Sequence, residues 1–141
     1  MVDVSGKKPT MRTAIAGALV KMGAETIEAL KAQKIPKGDV FSVARIAGIM
    51  AAKQTAQLIP LCHPLGLDYC DVQFSFVHGG IRIRAEARAH GATGVEMEAL
   101  TAASVAALTM YDMCISLDKA IVVTDIMLLE KHGGKSGSFA R

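Results

Sequence analysis

At 141 residues, half of them apolar, the chain is long enough for one domain with a real core. A net charge of +3, spread over scattered Lys and Arg, is too small for nucleic-acid binding but suits an anionic small molecule held by a local cluster. Three cysteines without paired spacing argue against a disulfide framework or zinc site and for a reducing cytoplasm; the opening Met-Val-Asp-Val-Ser lacks the apolar run of a signal peptide, and no segment has the ~20 apolar residues of a membrane span.

Residues 1–12, with Gly6 and Pro9 as breakers, and the glycine-rich 131–141 read as flexible ends of a single domain covering 1–141. Residues 13–22 read as a strand, with a helix as the competing reading, closed by Gly23. Residues 24–33 make a short amphipathic helix with Ile27 and Leu30 inward and Glu28 and Lys31 out. After a Pro36–Gly38 loop, residues 40–57 form a longer helix on which Val43, Ile46, Ala47, Met50 and Ala51 recur at helical spacing. The loop 61–65 follows Pro60, and residues 67–77 form a strand. His78-Gly79-Gly80 is a hairpin turn, and residues 81–90 alternate apolar on odd numbers and polar on even, so one face is packed and the other solvated or facing a partner. Residues 93–117 form an apolar helix, with Thr93 to cap it and Glu96 and Glu98 in the first turns, where the dipole favours negative charge. Residues 119–130 make the last strand, and the tail is glycine-rich and basic. With the first two helices counted as one crossover, the order is β-α-β-β-α-β, an α+β fold with a mostly antiparallel sheet and helices on one face.

The chemistry concentrates at few positions. Asp112 stands among Met110, Tyr111, Met113 and Cys114, so it is either a buried carboxyl, a candidate general acid or base, or a frayed-end aspartate in water. Lys37-Gly38-Asp39 precedes a helix, where backbone N–H groups favour an anion. His63, between Cys62 and Pro64, cannot sit in a regular helix; as a lone histidine it is structural or a loop-borne binding group. The Gly-Gly-Lys-Ser-Gly of 133–137 lacks the upstream glycine and the following helix of a phosphate loop, and is a solvated tail or a basic arm over phosphates. Arg82, Arg84, Glu86 and Arg88 read most simply as a solvated strand face, and no His and carboxylate spacing defines a metal site. Glu98 and Asp112 are fourteen residues apart on one helix, roughly 21 Å of rise. Both can touch one compact ligand only if different subunits supply them.

Six segments carry a specific resemblance: Lys-Gly-Asp-Val (37–40), Ala-Arg-Ile-Ala-Gly-Ile-Met-Ala-Ala-Lys (44–53), Leu-Ile-Pro-Leu-Cys-His-Pro-Leu (58–65), Thr-Gly-Val-Glu-Met-Glu-Ala-Leu-Thr-Ala (93–102), Tyr-Asp-Met-Cys (111–114) and Gly-Gly-Lys-Ser-Gly (133–137). In this order, over nearly the whole chain, they resemble the MoaC family, the cyclic pyranopterin monophosphate synthases of molybdenum cofactor biosynthesis. The resemblance implies a ferredoxin-like fold and a homohexamer, a trimer of dimers with interfacial sites. It implies a lyase that converts (8S)-3′,8-cyclo-7,8-dihydroguanosine 5′-triphosphate to cyclic pyranopterin monophosphate with release of pyrophosphate. No redox cofactor is implied, and a divalent ion carried with the triphosphate is left open. By position it implies Asp112 and Lys37 as catalytic, and Leu61, Cys62, His63, Met97, Glu98, Arg12, Lys53 and Lys131 as substrate-binding.

The chain departs from the pattern once. Tyr-Asp-Met-Cys continues in the family with a catalytic lysine; here the residue is Ile115, which can neither transfer a proton nor contact a phosphate. Lys119 would stand near the same face as Asp112 if the helix continued, roughly 10 Å further along. An active lyase and an impaired or non-catalytic homologue that binds the same ligand are the two readings this position separates.

Overall fold

The alternation of residues 80–91 fixes the frame. In the computed structural model, which describes Met1–Arg141, Ile81, Ile83, Ala85, Ala87 and Ala89 are buried, while Arg82, Arg88 and His90 are exposed. The buried set faces the helices, and the charged set lies on a sheet face that no helix covers. There Glu86 pairs with Arg84 and Arg88, and Arg88 stacks 4.8 Å from the Tyr69 ring centre, as a solvated strand face would.

The elements in chain order are β1 (Thr10–Lys21), α1 (Ala24–Lys31), α2 (Val40–Lys53), α3 (Thr55–Leu58), β2 (Tyr69–Val77), β3 (Gly80–Gly91), α4 (Glu96–Cys114), β4 (Val122–His132) and β5 (Phe139–Ala140). The antiparallel sheet runs β2-β3-β1-β4-β5, the four long strands following the ferredoxin-like order. The strand reading of residues 13–22 holds against the helical one, starting three residues earlier. β4 begins later than expected and continues through Lys131 and His132, and the tail adds the edge strand β5. Asp125 takes a left-handed φ of 53° where β4 departs from regular pairing with β1.

Alanine sets the spacing of the core. Ala14, Ala16 and Ala18 of β1 and Ala85, Ala87 and Ala89 of β3 meet α4, which buries Ala99, Ala102, Ala103, Ala106 and Ala107. Small side chains on both sides let the helix lie close to the strands, as the composition predicts.

Three local expectations change. The helix expected over 40–57 breaks at Gln54 into α2 and α3, with Thr55 Oγ1 donating to the Ala52 carbonyl at 2.9 Å. The apolar stripe of α2 also turns, with only Ala51 of the expected set buried. Val43, Ile46 and Met50 are exposed, Ile46 by 59%, while Ala44, Gly48, Ala51 and Ala52 are buried. α4 lies so close that only small residues fit between: a Cβ on Gly48 would stand 2.8 Å from the Ala102 carbonyl oxygen. The last helix begins at Glu96 after Val95, without a side-chain cap, so Thr93 does not fill that role, and it ends at Cys114.

Candidate functional site

The site residues divide between the two ends of α4. At the C-terminal end, period 3.6 turns Met110, Met113 and Cys114 into the core and leaves Leu108 and Asp112 on the outer face. Asp112 is therefore not buried; its side chain is 69% exposed. What marks it is Lys37, whose Nζ donates to Asp112 Oδ2 at 2.8 Å and to the Asp112 main-chain carbonyl at 2.9 Å.

The loop that delivers Lys37 is tightly specified. Lys34 N–H donates to the Ala29 carbonyl and Gln33 N–H to the Leu30 carbonyl, the paired bonds of a Schellman C-cap, with Gln33 at φ 55°. Ile35 is buried, Gly38 takes a φ of 100°, and the Asp39 carboxylate accepts from the Ser42 N–H at 3.1 Å as the N-cap of α2. That carboxylate occupies the position where an anion was expected at this helix start; those Ser42 bonds hold its pKa below the usual value.

At the N-terminal end of α4 two cavities share a wall made by Lys7, Thr93, Gly94 and Glu96. The larger, about 680 Å³, is lined by Lys7, Lys8, Arg12, Lys131 and Lys135 together with the glycines of 133–134 and Ser136. Sheet register places its strand cations: Arg12 lies opposite Ala89 and Lys131 opposite Ala14, both on the helix-covered face. Arg12 is anchored by weak bonds to the Gly91 and Ala92 carbonyls at 3.3 and 3.4 Å. Gly134 leaves its guanidinium room, since a Cβ there would fall on it. The smaller cavity, about 390 Å³, is lined by Leu61, Cys62, His63, Leu65, Met97 and Glu98 under Val2 and Val4. Glu98 is 3% exposed, and burial, with the Glu96 charge adding, pushes its carboxyl pKa up against its own backbone N–H. Burial likewise raises the Cys62 thiol, so it does not read as a thiolate nucleophile. No group of three or more His, Cys, Asp or Glu side chains is placed to hold a metal ion.

A basic cleft joined to a mixed apolar and acidic one can seat a molecule with phosphates at one end and a polar ring system at the other. The model of the MoaC family matches residues 1–134. The chain belongs to the MoaC family. It is 58% identical over 139 residues to the cyclic pyranopterin monophosphate synthase of Novosphingobium aromaticivorans, covering 99% of this chain and 88% of that protein. The proteins of the same name from Nitratidesulfovibrio vulgaris and Bacillus pumilus are 55% and 50% identical over 141 and 145 residues, covering 99% and 100% of this chain and 88% and 89% of their own length.

In this member of the MoaC family, Arg12, Lys131, Leu61, Cys62, His63, Met97 and Glu98 come together around the two cavities. Lys37 and Asp112 form a separate pair at the far end of α4, and Lys53 belongs with neither. Lys53 is exposed in the last turn of α2, beside a small cavity of about 100 Å³ that Glu98 also lines. Ile115 is the C-cap of α4, half-buried, and the chain turns away after it, so the helical continuation that would align Lys119 with Asp112 does not occur. Lys7, Lys8 and Glu96 were missed as lining residues, while the 133–137 segment, read as a solvated tail or a basic arm over phosphates, contributes Gly133, Gly134, Lys135 and Ser136. The sequence signal of the missed residues was positive charge beside glycine in the opening segment and Glu96 in a matched motif.

Proposed function

We propose that this chain is a cyclic pyranopterin monophosphate synthase, a cytoplasmic lyase of molybdenum cofactor biosynthesis. Its substrate on this reading is (8S)-3′,8-cyclo-7,8-dihydroguanosine 5′-triphosphate. A ligand hydroxyl oxygen bonds to the α-phosphorus, the α–β phosphoanhydride bond breaks, and pyrophosphate leaves while the ring system rearranges by proton transfers. The five-cation cleft carries this reading: Lys7, Lys8, Arg12, Lys131 and Lys135 converge as a triphosphate requires. The cavity of His63, Met97 and Glu98 would take the guanine-derived rings. The reaction is redox-neutral, so the proposal needs no redox cofactor; a divalent ion bound with the triphosphate would be held mainly by phosphate oxygens.

Lys37 and Asp112 are the proposed proton-transfer pair. Within one chain they lie roughly 21 Å along α4 from Glu98, so a complete site needs a neighbouring copy. We propose a homohexamer, a trimer of dimers, in which one subunit's cation cleft meets another's Lys37–Asp112 pair. The uncovered apolar stripe of Val43, Ile46 and Met50 supports assembly. Chains carrying Asp112→Asn and chains carrying Lys131→Met, inactive apart, should regain part of the activity when refolded together. No recovery by a correctly assembled mixture would refute the shared site.

Ile115 favours a second reading, a binding protein of the same fold without turnover. Incubation with the cyclic dihydroguanosine triphosphate separates the two. Pyrophosphate and the pyranopterin support the lyase; bound ligand without product supports the second reading, and turnover regained in Ile115→Lys would assign the cause.

A further inference from the structure

Glu96 is the one carboxylate lining a cavity that also holds five Lys and Arg side chains. It stands in the wall shared with the second cavity. Its Oε1 lies 3.1 Å from Lys131 Nζ, and the same ammonium donates to Ser136 Oγ at 3.2 Å. The side chains of Glu96 and Lys131 are only 30% and 26% exposed, so this pair is screened less than one on the open surface. Its geometry is built from both sides. Strand register sets Lys131 on the helix-facing side of β4, and α4 begins at Glu96 itself. Gly94 makes room for the carboxylate: a Cβ there would collide with it.

A carboxylate placed among phosphate-binding cations competes with phosphate for them. The competition is local, because Glu96 engages Lys131, while Arg12 is held by carbonyls and Lys7, Lys8 and Lys135 have no ion-pair partner. We propose that Glu96 is a resident counter-anion of the phosphate site. It holds Lys131 in the empty cleft, yields it to a phosphate oxygen of the incoming ligand, and reclaims it as pyrophosphate departs. Glu96 thereby lowers the affinity of the substrate and of the leaving product by the same factor, which matters most for pyrophosphate because it has fewer other contacts to hold it. The inference rests on reading the cleft as a triphosphate site.

The test is calorimetric titration of inorganic pyrophosphate into the full chain. Glu96→Gln keeps the side chain's size and its ability to accept from Lys131 but removes the charge. Pyrophosphate should bind it about tenfold more tightly than the parent at low salt, with the gain shrinking as salt rises. Glu28→Gln, which removes the same charge from the exposed Lys31 pair on α1, should leave pyrophosphate affinity unchanged. In a Lys131→Met background the gain from Glu96→Gln should disappear. Equal or weaker binding by Glu96→Gln, or a gain that persists without Lys131, overturns the counter-anion role; weaker binding would instead mark Glu96 as a direct ligand contact. If the folded parent binds no pyrophosphate, the triphosphate reading of the cleft falls too, so the two failures are distinguishable.

Discussion

Gly48 is where the fold has least room, and Gly48→Ala measures it. A Cβ at this position would lie 2.8 Å from the Ala102 carbonyl oxygen, 3.0 Å from Val72 Cγ2 and 3.3 Å from Ala106 Cβ. The first contact is with main chain of α4, so it cannot be relieved by a rotamer change; α2 and α4 must separate. Overpacking of this kind costs about 1–3 kcal/mol. The exchange of glycine for alanine inside a helix returns about 1 kcal/mol of propensity. Because main-chain oxygen and two side chains all crowd the new methyl, the upper part of that cost applies, and the net loss is about 1–2 kcal/mol. For a chain of this length each kcal/mol moves the melting temperature by about 2–4 °C. Thermal unfolding followed by circular dichroism, at fixed protein concentration because assembly would shift the midpoint, should show a fall of about 2–8 °C. A midpoint equal to or above the parent's would refute the close approach of α2 and α4, because propensity alone predicts a rise.

Further outcomes follow from the site. Lys37→Met and Asp112→Asn should each leave stability within about 1 kcal/mol, because their side chains are 46% and 69% exposed, yet reduce turnover by about 10²-fold or more; matched urea unfolding and pyrophosphate-release assays check both. Glu98 has a raised folded pKa, so its ionisation costs stability as pH rises from the ordinary value of 4.5 through the folded value. Glu98→Gln should therefore be more stable than the parent at neutral pH, with the gap closing towards acid, as read from melting temperatures across pH. Gln33 holds a left-handed C-cap that glycine adopts without strain; Gln33→Gly should raise stability by about 0.5 kcal/mol in denaturant unfolding.

The parts legible in the sequence were those governed by a period. β3 alternates without fault because one face is covered and the other wet, and α4 declared itself by a long apolar run. The helix rise between Glu98 and Asp112 already set these two residues far apart. What failed depended on who the neighbour was. The stripe expected on α2, Val43, Ile46, Ala47, Met50 and Ala51, meets the packed side only at Ala51; the rest of that side is Ala44, Gly48 and Ala52, because α4 approaches too closely for anything bigger. Asp112 left open its exposure, because the short spacing to Met110, Met113 and Cys114 hides that these three face inward and it does not. Lys53 came from its motif, with nothing local to say that it would stand outside both larger cavities. Glu96 and the lysines of the opening segment escaped because a charge in a loop or first helical turn carries no pattern until strands bring its partners across.

The alanine lining of α4 has a mechanical consequence. A helix seated by leucines can be nudged and reseated, since long side chains change rotamer and absorb the movement. Ala99, Ala102, Ala103, Ala106 and Ala107 have no rotamers to change, and on the α2 side the contact is nearly main chain against main chain. Along this stretch the helix has little freedom to reseat against its neighbours. Glu98 and Asp112 are thereby held at a set separation along α4, and the lysine partner of Asp112 is positioned by a buried Ile35 and a capped helix start. Such a seat keeps the Glu98 and Asp112 ends of α4 in a constant relation to each other.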